Sequence, residues 1–226
     1  FEIISIDAFS QGKGMPLKSA GVGLARKIGF DLALSYSAYN TLLCSLDADT
    51  LISPDYFQTI TQYKIELAFN CIVPGIRHQK GINELIETGI RKYEHFIFKT
   101  AEKLRKAGSP YGFITVGSAM IFTVHAYISA GGMSKRKATE DFYFLQEVVK
   151  STSVTPIPEK LVYPSARESG RVYLGTGFRM LQVIQGLDLD SLHYTDISFE
   201  ILQKWLNLAE KCWKQSIKRL LSDTDR

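Results

Sequence analysis

The stretch Thr41-Leu-Leu-Cys-Ser-Leu-Asp-Ala-Asp-Thr50 decides how the rest of this chain is read. Leu42 to Leu46 is an apolar run of the length expected for a short buried strand, and two carboxylates follow it at once. Alternation along an extended chain sends Asp47 and Asp49 to the same side. Two anions held that close repel each other unless something positive lies between them. A hard divalent cation suits the position, because Mg2+ takes one or two carboxylates and completes its shell with substrate phosphates. Open α/β sheets also receive ligands at the carboxyl ends of their strands. The plain alternative is a strand that ends in an Asp-rich turn.

Working outward from this strand, strand-like and helix-like segments alternate, which predicts an α/β domain. Upstream, Ile3-Ile4-Ser5-Ile6 reads as a strand, Asp7 to Pro16 as a polar loop, and Leu17 to Leu34 as a helix by its apolar spacing. Downstream, Ser53-Pro54 opens a helix and Ala68 to Pro74 reads as a strand. Ile82, Leu85, Ile86, Ile90, Tyr93, Ile97 and Leu104 mark one face of a long amphipathic helix. Gly112 to Val124 reads as a strand or strand pair, and Gly131-Gly132 breaks the chain. Thr139 to Lys150 reads as a helix with Thr139 as its cap. The Pro- and Gly-bearing stretch Ser151 to Gly177 reads as short strands with an ordered loop. Phe178 to Gly186 and Ser198 to Leu221 read as helices, the second with Leu202, Trp205, Leu206, Ala209 and Trp213 as a core-packing stripe.

Length and composition set the bounds. At 226 residues, 45% hydrophobic and 22% charged, the chain has the material for one sizeable globular domain. The net charge of +4 suits a small anionic substrate. With no long Lys/Arg run and no recognisable motif, nucleic-acid binding is not expected. The three cysteines, Cys44, Cys71 and Cys212, are scattered and form no CxxC pair, so neither a disulfide framework nor a zinc site is expected. They point to a reducing, cytoplasmic setting, the inner membrane surface included. The longest apolar candidate, Gly112 to Val124, falls short of the roughly 20 residues that span a bilayer.

A second acidic pair lies about ninety residues after the first, in Ala138-Thr-Glu-Asp-Phe142, preceded by Gly131-Gly132-Met133. The order is Asp-x-Asp after a strand, a strand-rich middle, a Gly-Gly turn, then Thr-Glu-Asp at a helix start. In this order the chain resembles the family 2 glycosyltransferases of the GT-A fold, which include the catalytic domains of the cellulose, chitin and hyaluronan synthases. Leu17-Lys-Ser-Ala-Gly-Val-Gly-Leu-Ala-Arg-Lys-Ile-Gly29 is similar to that family's helix before the Asp-x-Asp strand, with Lys27 in place of the usual Asn. The resemblance spans Phe1 to Gly177 and implies a GT-A core there, a mixed, mostly parallel sheet flanked by helices, with residues 178–226 as a helical extension packed on it.

The resemblance also implies roles. Asp47 and Asp49 would hold Mg2+ or Mn2+ and the diphosphate of a nucleotide sugar, a UDP-sugar above all. Asp141, with Glu140 beside it, would be the general base that deprotonates an acceptor hydroxyl on a saccharide or lipid-linked acceptor, with inversion at the sugar. Gly131 and Gly132 would turn the backbone beside the acceptor. An ordinary loop explains the glycines equally well, and a helix N-terminus alone favours Glu140 and Asp141. Arg167 and Arg171, in Tyr163-Pro-Ser-Ala-Arg-Glu-Ser-Gly-Arg-Val172, are equipped to grip phosphate; Lys18 and Arg26 are further candidates. The Gln-x-x-Arg-Trp motif of the processive synthases is missing here. The family's first strand would lie upstream of Phe1, leaving a sheet edge for a second copy to cover, the C-terminal helix being another route to a homo-oligomer.

Two rival readings come from other classes. Leu46-Asp-Ala-Asp-Thr50 also resembles the nucleophile motif of haloacid-dehalogenase-type phosphatases, in which Asp47 would attack phosphorus, although no later Gly-Asp-x-x-x-Asp element is present. The other rival is a non-catalytic domain that binds a nucleotide sugar.

Overall fold

In the computed structural model, residues 2–213 are described. Five strands form one mixed sheet, flanked by helices. They are β1 (Leu42–Ser45), β2 (Leu51–Ile52), β3 (Cys71–Ile76), β4 (Met120–Thr123) and β5 (Val154–Tyr163), in the order β1-β4-β3-β5-β2. Three of the pairings are antiparallel, and only β3 with β5 is parallel. The expectation of a mostly parallel sheet is therefore corrected. The causes are β4, which enters between β1 and β3 against their direction, and β2, which runs antiparallel to β5 at the edge. β1, β3 and β5 still point the same way, so their carboxyl ends open on one edge of the sheet.

Side-chain alternation builds a core on each face. Leu43, Cys71, Val73, Met120 and Phe122 face one side, where Phe30, Tyr127 and Phe144 pack around Phe122. Ile72, Ile76, Ile121, Ile157 and Val162 face the other, under Tyr56 and Ile60. Cover on both faces explains why every residue of β3 is buried.

Among the described residues seven α-helices accompany the strands: α1 (Val22–Leu34), α2 (Tyr56–Leu67), α3 (Glu84–Lys106), α4 (Val124–Ser129), α5 (Glu140–Ser151), α6 (Thr176–Ile184) and α7 (Asp196–Cys212). Asn83 caps α3, its side chain accepting from Ile86 N–H at 2.9 Å. α6 packs on α3 closely enough that a Cβ at Gly89 would press on Val183. No helix among the described residues is long and apolar enough to cross a membrane.

Several local expectations are corrected. Ile3 to Ile6 is not a strand: it has no ladder partner among the described residues, and Ile3, Ile4 and Ile6 stand exposed. α1 starts at Val22, because Ser19 and Ala20 N–H turn back to Pro16 O and Gly21 is fully extended. Lys18 lies in that turn. Only the last third of Gly112 to Val124 is a strand, and the two-residue β2 and short α4 have too few residues for a periodic signal. Thr139 precedes α5 but does not cap it: its φ of 61° is left-handed, and its hydroxyl donates to Ala138 O. Along α7, Leu202, Leu206 and Ala209 are half-buried as expected of the stripe, whereas Trp205, and Trp213 just past the helix end, are exposed; the helix also meets α3 through Phe199, Asp196 and Gln203. The part of the expected last helix beyond 213 lies outside the described residues.

Gly23 is where α1 docks. A methyl group there would overlap the carbonyl oxygens of Ser134 and Arg136 and press on Glu140 Cβ. Gly23→Ala is expected to cost about 1–3 kcal/mol by overpacking, read as a lower urea midpoint at unchanged slope; an unaltered midpoint would show that this contact does not seat the helix.

Candidate functional site

Five pieces converge where the strands open. The turn after β1 carries Asp47 and Asp49, closed by Thr50 N–H donating to Asp47 O at 3.0 Å. The segment after β3 supplies Gln79, the loop after β5 supplies Arg167, and the start of α5 supplies Glu140 and Asp141. α1, docked through Gly23, contributes Arg26.

Arg26 is the hub. One guanidinium nitrogen donates to Glu140 Oε1 and another to Asp47 Oδ1, with the Arg26 side chain only 10% exposed and that of Glu140 4%. Residues 21 and 114 positions apart are thereby joined, and the two acidic pairs become one cluster. Gly117, just before β4, forms the floor: a Cβ there would lie 2.6 Å from Arg26 Cζ. Only glycine leaves room for the guanidinium. Gly117→Ala is expected to push Arg26 off its carboxylates and lower the melting temperature by several degrees, about 2–4 °C for each kcal/mol lost; an unshifted transition would contradict that packing.

The electrostatics follow from burial. Glu140 is held above the ordinary carboxylate range, first by burial and then by the neighbouring Asp141 charge, with Arg26 opposing. Asp141 is raised too, first by burial, with Asp47 adding to it, against its bond from Phe142 N–H and the Arg26 charge. Tyr93 of α3, raised mainly by burial, lies within electrostatic reach of both Asp141 and Arg179 of α6.

Asp49 has its own partner. Arg167 Nε donates to Asp49 Oδ2 at 2.7 Å, and its Nη2 lies 2.6 Å from the same oxygen, with both side chains about half exposed. Gln79 Nε2 donates to Asp49 O and Tyr163 O, each at 2.8 Å. Arg171 stays apart, bonded only to Ser169, and Lys18 is exposed in its turn. Gly131 and Gly132, both at φ +77°, end α4: their N–H groups donate to Ile128 O and Tyr127 O, the paired bonds of a Schellman stop. Helix termination accounts for both. Lys27, where the resembled pattern has Asn, pairs with Asp31 at 2.8 Å.

Among the described residues no group of three or more His, Cys, Asp or Glu is gathered that could hold an ion. Asp47 and Asp49 are two carboxylates, each already compensated by an arginine. Such a donor set fits a hard cation only as a shared site, with diphosphate oxygens and water as the other ligands. Gly117, Gln79 and Gly23 escaped the sequence reading because each acts through space left empty or through a backbone oxygen. Among family models and curated proteins, none matches this chain.

Proposed function

We propose that this chain is the catalytic core of an inverting glycosyltransferase of the GT-A type, taking a nucleoside-diphosphate sugar and passing the sugar to an acceptor hydroxyl. The observation that carries the reading is Arg26, whose bonds to Asp47 and Glu140 bring the Asp-x-Asp turn and the Thr-Glu-Asp helix start into one place. The resemblance calls for the two acidic motifs to face one cleft, and this contact supports that reading.

Asp141 takes the proton of the acceptor hydroxyl as its oxygen attacks the anomeric carbon. The bond from that carbon to the diphosphate breaks, and its electrons leave with the diphosphate. A carboxylate whose pKa burial raises suits the task, because it holds a proton more tightly than an ordinary Asp. Arg26 keeps Asp47 and Glu140 in register, and Gly117 leaves it space. Asp47 and Asp49 would hold Mg2+ or Mn2+, which when bound offsets charge developing on the departing diphosphate. Arg167, sitting on Asp49 and half exposed, is placed to grip a phosphate oxygen instead.

Nucleoside-diphosphate release from a panel of sugar donors, with Mn2+ and simple saccharide or lipid-phosphate acceptors, tests the proposal. Turnover with one donor class and an inverted anomeric product is expected. Trapping of Asp47 by beryllium fluoride, with turnover of a phosphomonoester, would replace this reading by a phosphatase. Arg167→Ala is expected to weaken diphosphate binding roughly tenfold or more with an unchanged fold, measured by titration calorimetry; equal affinity would remove Arg167 from the site.

A further inference from the structure

The segment leaving β3 alternates in its contacts. Arg77 N–H donates to Val162 O at 3.0 Å and Gln79 N–H to Pro164 O at 2.9 Å, prolonging the ladder with β5. His78 points the other way and is buried, only 2% exposed. Its Nδ1 lies 3.0 Å from Glu94 Oε1, its Nε2 3.0 Å from Thr176 Oγ1, and its backbone N–H also donates to Glu94. Arg91 closes the cluster, bonding Glu94 and Glu87 and donating to His78 O at 3.0 Å. Burial of an imidazole with both ring nitrogens partnered gives a stiff anchor.

What this anchor holds is the loop of residues 164–175, which carries Arg167 and Arg171. The loop begins at Pro164, tied to Gln79, and ends at Thr176, tied to His78. Two consecutive residues therefore grip the two ends of one loop. Gln79 in addition holds Asp49 O, the backbone of the residue to which Arg167 is paired.

We propose that His78 and Gln79 are positioning residues that clasp the neck of the arginine loop and hold Arg167 over Asp49, His78 drawing its rigidity from Glu94 and Arg91. The consequence for diphosphate binding rests on the glycosyltransferase reading; the clasp does not. Within the loop Ser169 N–H donates to Gly177 O at 2.9 Å and Ala166 is buried in one cluster with Met180 and Val183; the ties at the neck add to these contacts, so cutting either raises the population of open loop.

Trypsin reports that population, since Arg167 and Arg171 are exposed and their cleavage requires the loop to open. Thr176→Val removes the hydroxyl from His78 and keeps the shape; at the other end Gln79→Met keeps the backbone bond to Pro164 O and removes the side-chain bonds to Tyr163 O and Asp49 O. Each is expected to speed cleavage after Arg167 and Arg171 about tenfold, the order of effect of losing one buried hydrogen bond, with cleavage after Lys106 on the last turn of α3 unchanged. Thr176→Ser is expected to restore the wild-type rate, which a merely structural loss of the β-branched side chain would not. Unchanged rates after Arg167 and Arg171, or an equal rise after Lys106, would overturn the clasp. A parallel titration with UDP and Mn2+ separates the two claims. Weaker binding in the opened variants supports both, whereas faster cleavage with no binding even by the wild type keeps the clasp and counts against the nucleotide-sugar reading.

Discussion

On the proposed glycosyltransferase reading, replacing Asp141 by Asn is expected to lower sugar transfer by roughly 10²- to 10⁴-fold, the usual contribution of a positioned base, while nucleotide binding and the fold survive. The amide is isosteric and can still accept the bond from Phe142 N–H that orients the carboxylate at 2.8 Å. It cannot take a proton. The same half-buried position gives two further signs. In the wild type the raised Asp141 carboxyl must be ionised to act, so transfer falls as the pH drops through its elevated pKa, and the acid limb of the rate profile lies above the ordinary Asp range. For stability the folded state binds this proton more tightly than the unfolded chain does. The resulting stabilisation is complete below the unfolded pKa and is lost as pH rises through the folded one. Asn at this position carries no such penalty, so the variant is expected to melt no lower than the wild type at pH 7. Turnover at the wild-type rate, or a marked loss of stability, would contradict the assigned role.

Arg26→Ala is expected to have the largest effect on stability, about 3–5 kcal/mol, the range found when one partner of a buried ion pair is removed. Glu140 would be left 3% exposed beside Asp141 and near Asp47 with no guanidinium between them. The carboxyl would then protonate sooner as pH falls, so the deficit is greatest at high pH and shrinks toward acid. Arg26→Lys is not expected to rescue, because a single ammonium cannot present two nitrogens in a fixed fork to Asp47 and Glu140 at once. Chemical denaturation at two pH values measures this. A loss below about 1 kcal/mol, typical of a solvent-exposed pair, would show that Arg26 does not hold the cluster together.

The parts legible in the sequence were those with a local, repeated signal. The 3.6-residue spacing along Ile86, Ile90, Tyr93 and Ile97 marks α3, and the apolar run before Asp47 marks β1. Asp47, Asp49, Glu140 and Asp141 stand out because carboxylates directly beside apolar runs call for an explanation. Strand direction is not local: nothing in Met120 to Thr123 says that β4 enters antiparallel between β1 and β3. Ile3 to Ile6 has the composition of a strand, but a strand exists only by pairing. Arg26 was one of several helix-surface cations until Gly23 and Gly117, both mute in a sequence, showed how closely it is enclosed. His78 and Gln79 belong to no pattern, since their partners lie 16 to 98 positions away.

On the proposed function the two acidic pairs share one cleft that takes a nucleoside diphosphate with a divalent cation. The most direct measurement of this is thermal unfolding of the protein across a panel of nucleoside diphosphates, each with and without Mn2+, repeated on Asp49→Asn. The account predicts a rise with one nucleotide that needs the metal and is lost in the variant, reaching about 2.7 kcal/mol of stabilisation at a hundredfold excess over Kd. No metal-dependent rise with any diphosphate, or one that survives in Asp49→Asn, would contradict it.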